Sequence, residues 1–393
     1  MADSFQFNRQ PPQEVTSYLS EKALVPSFSY KDVWGAQHAT GFTVAKATQI
    51  DVLTTLDVAM QQALDNGVPY EQFAKELTPR LQELGWWGKK LMTDPKTGEQ
   101  VLAQLGSPRR LKTIYWANTR TARAAGQWNR AQRSKRFMPY FLYGLGNSER
   151  HRPLHAEQEG TILPVDHPHW NYWFAPNGWG CKCWIRQIDR AEAESLGGES
   201  EEPSYPMRTY TNDRTGETVN IPVGIDPGWH TNPGKERFGT LRRDLGGTLA
   251  GANEPLRRAA VQSSPLAQFA EAALDGSIKG NLSIPFAAIG DDLGTALGTK
   301  ARAGFLSAAT ILEHAAGAGM TPAQYSALAQ KMLDEGEVWK SAKGALSVIQ
   351  VIDGLPYLMG LKISAQDELF ITTLHRWRER SIRKLKDGGT KLK

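Results

Sequence analysis

The sequence predicts an α+β protein: a mainly α N-terminal domain with a loop-rich end over residues 1–188, a linker over 189–238, and a small α+β domain with an antiparallel sheet over 239–393. Three observations carry this. Apolar residues recur at helical spacing through most of 45–133. From Gly144 to Trp184 that periodicity gives way to Gly, Pro, His and Trp. Helical spacing over 265–333 is then followed by the two-residue period of strands over 346–374, an order typical of α+β domains. A chain of 393 residues is also longer than one ordinary core supports.

Composition sets the class. Hydrophobic residues make up 40% and charged residues 22%, as in a folded, soluble protein able to bury real cores. Lys and Arg exceed Asp and Glu by only 46 to 41, so overall charge gives a weak attraction to polyanions. The N-terminus lacks a basic segment followed by an apolar run, and no stretch approaches 18 uninterrupted apolar residues, so neither a signal peptide nor a membrane span is expected. The two cysteines, Cys181 and Cys183, are one residue apart, and a bridge closing so short a loop would be strained. No period of 20 to 50 residues repeats, which excludes solenoids and propellers.

Taken in order, Ile50, Leu53, Leu56, Met60 and Leu64 predict a helix over 45–66, stopped by Gly67. Tyr70, Phe73, Leu77, Leu81 and Leu84 predict a second, kinked at Pro79. Asp94 to Gly98 is a turn cluster. Ser107 and Pro108 then supply an N-cap and a first-turn proline for a long basic helix to about Arg133. Its buried stripe is Leu111, Ile114, Tyr115, Asn118, Ala122 and Ala125, with its arginines mostly elsewhere. Phe137 to Tyr143 reads as a short aromatic strand.

Residues 192–206 are acidic and rich in Ser and Gly, and turn signals continue to Asn232; this is the expected linker. Helices are expected over 265–274, 295–314 and 321–333, the last capped by Thr321 and opened by Pro322. Strands are expected over 346–352, 355–363 and 368–374, the first two joined by Asp353-Gly354. From Arg376 onward basic residues dominate, so the excess charge sits in a C-terminal tail.

Half of the chain's eight histidines, His151, His155, His167 and His169, lie in the same segment as both cysteines. Thiolate and imidazole are good zinc ligands, which makes His155, Cys181 and Cys183 a candidate zinc set, although no cofactor is expected. Against it, a Cys-x-Cys pair in an extended chain points both sulfurs to one side with little room to wrap a metal. Two other readings stand beside it. Both cysteines could serve as small buried apolar residues, or a cysteine beside histidine could act as a nucleophile.

The run Met138 to Tyr143, then Arg150-His-Arg-Pro-Leu-His155, Glu159-Gly160, Val165 to Trp170 and Ala175-Pro-Asn-Gly-Trp-Gly-Cys-Lys-Cys183, resembles the signature of the phage Mu F-like head morphogenesis family. His38 to Ala45 and Thr119-Arg120 through Gly126-Gln127 agree, so the resemblance covers the first half of the chain. It departs at Asn147-Ser148-Glu149, where that family usually carries an acid ahead of its Arg-x-Arg-x-x-His run. The resemblance implies a minor head protein of the virion, found in the host cytoplasm during assembly. Its partners would be portal and capsid proteins and phage DNA, with a role in head assembly and DNA packaging or delivery. Arg120, Arg123 and Arg130 of the basic helix, and Arg380, Arg383 and Lys384 of the tail, are the residues suited to contact nucleic acid.

From Leu306 onward the chain resembles the phage barnase, EndoU, colicin E5 and RelE-like nuclease fold often fused behind such a domain. That resemblance implies a metal-independent ribonuclease acting on RNA as a toxin or effector, with His314, Lys340, Thr373, His375, Arg376 and Arg378 as the matching residue types.

Overall fold

In the computed structural model, residues 11–262, 266–278, 280, 282–315 and 322–393 are described. The chain divides into two compact units, one ending at Arg237 and the other beginning at Phe238.

The first unit opens with α1 (Gln13–Ser20), followed by β1 (Ala23–Leu24), which pairs in parallel with β2 (Gly41–Phe42). Next come α2 (Ile50–Asp65), α3 (Tyr70–Glu83), the hairpin β3 (Lys89–Thr93) and β4 (Gln100–Gln104), and α4 (Pro108–Ser134). The apolar stripes read from the sequence meet here. Leu53, Leu56 and Met60 of α2 pack with Phe73, Leu77 and Leu81 of α3, Leu111, Ala122 and Ala125 of α4, and Val15 and Leu19 of α1. At the start of α4 the Ser107 hydroxyl accepts the Arg110 N–H, as the capping pattern required.

Several boundaries differ from expectation. Helix α2 starts at Ile50 rather than Ala45, because Ala45 bridges to Ser27 and Lys46 takes a left-handed conformation (φ 69°). Helix α3 runs through Pro79 as one element. The β3/β4 hairpin was not foreseen; it is largely exposed and lacks the apolar alternation that marks a half-buried strand.

Beyond α4, β5 (Tyr140–Gly144) is the middle strand of an antiparallel sheet between β6 (Ile162–Pro164) and β7 (Trp184–Ile188). The one-turn helix α5 (Pro153–Ala156) lies between β5 and β6 in sequence. Trp128, Phe141, Tyr143, Trp170, Trp173 and Phe174 form an aromatic core, with Trp170 and Trp173 fully buried.

Residues 189–237 do not form a linker. Helix α6 (Arg190–Ser195) buries Ala193 against Leu142, Ile162 and Ile188. The hairpin β8 (Met207–Thr211) and β9 (Thr218–Pro222) places Arg214 in its turn, 2.6 Å from Asp32 and 2.5 Å from Asp94. Asn212, fully buried, donates to the Lys31 carbonyl at 3.0 Å. Polar contacts with residues more than a hundred positions away hold this stretch, so no periodic apolar face marks it in the sequence.

Helix α7 (Pro233–Gly251) begins in the first unit and continues into the second, followed by α8 (Glu254–Gln262) and α9 (Leu266–Leu274). The remaining elements are β10 (Ser283–Ala288), α10 (Asp291–Leu297), β11 (Ala303–Ser307), α11 (Pro322–Glu335), β12 (Glu337–Ser341), β13 (Leu346–Ile352), β14 (Leu355–Ile363), β15 (Leu369–Arg376), α12 (Glu379–Gly388) and β16 (Gly389–Lys391). The strands form one sheet in the order β10-β11-β15-β14-β13-β12-β16. All neighbours are antiparallel except β11 and β15, so the sheet is mixed rather than purely antiparallel. Ile284, Phe286, Leu306, Met359 and Ile371 pack with Phe269, Tyr325 and Met332 in one cluster, while Ala288, Ala303 and Phe305 join Leu249 and Val261 in another.

The expected helix over 295–314 is not one element. Gly298 adopts φ 68° and ends α10, and the buried run Ala303–Phe305 is a strand, because a continuous apolar segment of that length fits strand or helix equally well by periodicity alone. Thr321 lies outside the described residues. The strands over 346–352 and 355–363 appear as expected, joined at Asp353 (φ 49°) and Gly354 (φ 75°), which is the positive-φ pair of a tight hairpin turn. The basic tail is also structured: α12 precedes β16, whose Lys391 pairs with Trp339 of β12.

Candidate metal centre

Helix α5 positions His155, which is 2% exposed. Its Nε2–H donates to the Gly224 carbonyl at 2.9 Å, leaving the Nδ1 lone pair turned the other way. Gly224 takes φ 105°, and a Cβ there would lie 2.8 Å from that of Leu154, so this close backbone approach depends on glycine. Nδ1 faces two sulfurs: Cys183 Sγ at 3.5 Å and Cys181 Sγ at 3.7 Å. The three candidate ligand atoms lie within 4.8 Å of one another, and both cysteines are free thiols.

As expected of a Cys-x-Cys pair, both sulfurs point to one side, and the side they share holds the His155 imidazole. Cys181 ends the turn through Gly180 (φ 71°), where its N–H bonds the Gly178 carbonyl, and Cys183 stands just before β7. The pair straddles a loop-to-strand junction rather than an extended run, and both sulfurs converge on the imidazole. A hydrogen bond from the Cys181 thiol holds the Cys183 thiol well below its ordinary range despite burial. The same contact with Cys183, together with burial, pushes the Cys181 thiol up.

Neighbouring contacts hold the site rigidly. Tyr143 of β5 hydrogen-bonds Asn177 at 3.1 Å, and the Arg120 guanidinium of α4 donates to the Cys181 carbonyl while lying over the Trp116 ring. A Cβ on Gly144 would lie 2.1 Å from the Trp184 ring, and one on Gly146 would lie 1.9 Å from the Lys182 carbonyl oxygen. Asp226 accepts the Trp179 N–H at 2.8 Å and pairs with Arg152 at 3.0 Å. Neither Tyr143 nor Gly224 could be picked out from the sequence; one reads as a strand aromatic, and the other contributes only a backbone carbonyl.

The other histidines of the segment serve elsewhere. His151 contacts the Gly146 carbonyl and His167 pairs with Glu202, each through Nε2. His169 is buried among Trp170, Trp173 and Tyr205, and burial pulls its pKa down to about 3.

Among the residues expected to meet nucleic acid, Arg120 is half-buried against Cys181, and Arg130 pairs with Glu14 at 3.9 Å. Arg123, Arg380, Arg383 and Lys384 are exposed. The residues expected to form a ribonuclease site are not brought to one place. Lys340 is on β12 and Thr373, His375 and Arg376 are on β15, with β13 and β14 between them, about 14 Å at the usual strand spacing. Thr373 and His375 share the face opposite buried Leu374, and Arg376 donates to the Tyr357 hydroxyl at 3.2 Å. Arg378 is exposed at the start of α12, and the His314 side chain lies outside the described residues.

Residues 54–186 match the family model described as Phage Mu protein F like protein. The chain is 34% identical over 270 residues to the protein of Escherichia phage Mu described as "Putative capsid assembly protein F", covering 65% of this chain and 61% of that one. It is also 34% identical over 241 residues to the Mu-like prophage FluMu F protein of Haemophilus influenzae, covering 58% and 57% respectively. The chain therefore spans about three fifths of the length of the curated relatives it matches. No solved structure matches it. The match to that family model runs from within α2 into β7 and takes in His155, Cys181 and Cys183.

Proposed function

We propose that the protein is a head-assembly component of a tailed phage or prophage, working with capsid and portal proteins and assisting the packaging or delivery of DNA. The observation that carries this is the 34% identity over 270 residues to the phage Mu protein described as "Putative capsid assembly protein F". Exposed Arg123, Arg380, Arg383 and Lys384 suit sequence-independent, salt-sensitive contact with packaged DNA. The ribonuclease reading ranks behind it, since Lys340 stands three strands away from His375.

Quantitative mass spectrometry of purified procapsids and mature particles tests the proposal. Recovery of the protein at a fixed copy number in either is the expected result. Its absence from both overturns the reading.

A further inference from the structure

We propose that His155 Nδ1, Cys181 Sγ and Cys183 Sγ hold one zinc ion, with water in the fourth coordination position. Distance is the first argument. A tetrahedral zinc with Zn–S of about 2.3 Å and Zn–N of about 2.05 Å places sulfur and nitrogen about 3.6 Å apart. The observed separations are 3.5 and 3.7 Å. A single S–H···N hydrogen bond accounts for one such distance, not for both from the same nitrogen.

Valence is the second argument. Nδ1 offers a single lone pair, because Nε2 carries the proton given to the Gly224 carbonyl. One thiol at most can donate to that lone pair, so the second sulfur gains nothing from the imidazole. A metal ion satisfies all three atoms together. The backbone carbonyl that fixes the tautomer is the kind of outer partner that zinc-bound histidines carry.

Charge and chemistry agree. Two thiolates and a divalent cation sum to zero, which suits a place where Cys181 is 7% exposed and His155 is 2% exposed. Thiolate and imidazole favour zinc over the hard cations magnesium and calcium. Among the described residues, no further His, Cys, Asp or Glu atom joins the three, which leaves one position for solvent at the half-buried Cys183 side. The ion would fasten α5 to the loop ahead of β7 and, through His155, to the turn at Gly224. The inference is independent of the head-assembly reading: a zinc-bound protein absent from particles, or a metal-free one present in them, separates the two.

The test uses the full chain, purified without a metal-affinity tag and incubated with a slight excess of zinc before exhaustive dialysis. Elemental analysis should then find about one zinc per chain, falling below about a tenth in Cys183→Ser and His155→Asn and remaining in His151→Asn. Because either of the first two variants could fail to fold, cobalt substitution of the unaltered protein gives a second reading. Cys181 and Cys183 are the only cysteines in the chain, so a thiolate-to-cobalt charge-transfer band can arise only from them. That band, with the visible transitions of tetrahedral cobalt, is expected. Folded protein holding less than about a tenth of an equivalent of zinc and showing no cobalt–thiolate band would overturn the proposal, as would one equivalent of a different metal retained in competition with zinc.

Discussion

Replacing Arg237 by methionine tests whether residues 189–237 are part of the first unit rather than a tether. Arg237 is 5% exposed and belongs to α7. Its guanidinium donates to the carbonyls of Tyr18 at 3.1 Å and Ala39 at 3.5 Å, pairs with the Glu21 carboxylate, and lies over the Tyr18 ring. Methionine keeps much of the side-chain volume but supplies none of these donors, so two buried carbonyls lose a partner and a carboxylate 17% exposed loses its arginine. Removing one partner of a buried ion pair costs about 3–5 kcal/mol, and the residual exposure of Glu21 favours the lower end, about 3 kcal/mol. For a unit of this size that lowers Tm by about 6–12 °C. Ten of the twelve tryptophans precede Arg237, so tryptophan fluorescence during thermal unfolding reports chiefly on the first unit. Combining Arg237→Met with Glu21→Gln should cost less than the sum of the two, because the double variant removes the uncompensated charge. An Arg237→Met protein within about 1 kcal/mol of its parent, or strictly additive effects, would refute the reasoning.

Two further outcomes follow from other parts of the molecule. Gly146→Ala should destabilise the first unit by at least about 3 kcal/mol, since its Cβ would press on the Lys182 carbonyl rather than on a movable side-chain end. Urea titration measures the loss, and faster reaction of Cys181 and Cys183 with a thiol reagent should accompany it. In the second unit, Lys386 and Lys391 hold the Glu337 carboxyl down at a pKa of about 2, from an ordinary value of 4.5. A depressed folded pKa means stabilisation that is complete above pH 4.5 and lost as pH falls toward 2. Glu337→Gln should therefore unfold more easily than the parent at neutral pH and converge with it near pH 2, as read by circular dichroism; parallel pH profiles for the two proteins would contradict the pairing.

Much of the helical half was legible because its signals are local. The stripes of α2, α3 and α4 and the Ser107-Pro108 start of α4 each depend on residues a few positions apart, as does the Asp353-Gly354 hairpin of the sheet. What escaped depends on distant partners. The hairpin carrying Arg214 is held by Asp32 and Asp94, and β16 exists because β12 offers it an edge; neither leaves a periodic trace. At the candidate site, the crowding of histidine with cysteine marks a segment in the sequence, and the fold brings His155, Cys181 and Cys183 of that segment together while His151, His167 and His169 face other partners. The sense in which Cys181 and Cys183 face the imidazole was not legible, because it depends on the turn at Gly180 and on where β7 begins.

The parallel seam of the second sheet also bears on how that unit reaches its native state. The hairpin of β13 and β14 closes through two residues, whereas Gly304 of β11 meets Leu369 of β15 across about 65 residues of intervening chain. With loop-closure entropy growing as the logarithm of length, the seam is costlier to nucleate by about 3 kcal/mol. The meander of β12 to β15 and the pair of β10 and β11 should therefore form as separate pieces and join late, which makes their docking the slow step of folding. Until they join, the edges of β11 and β15, carrying Phe305, Leu306 and Ile371, lack their native partners. Dilution and low temperature during refolding should accordingly decide between monomer and aggregate.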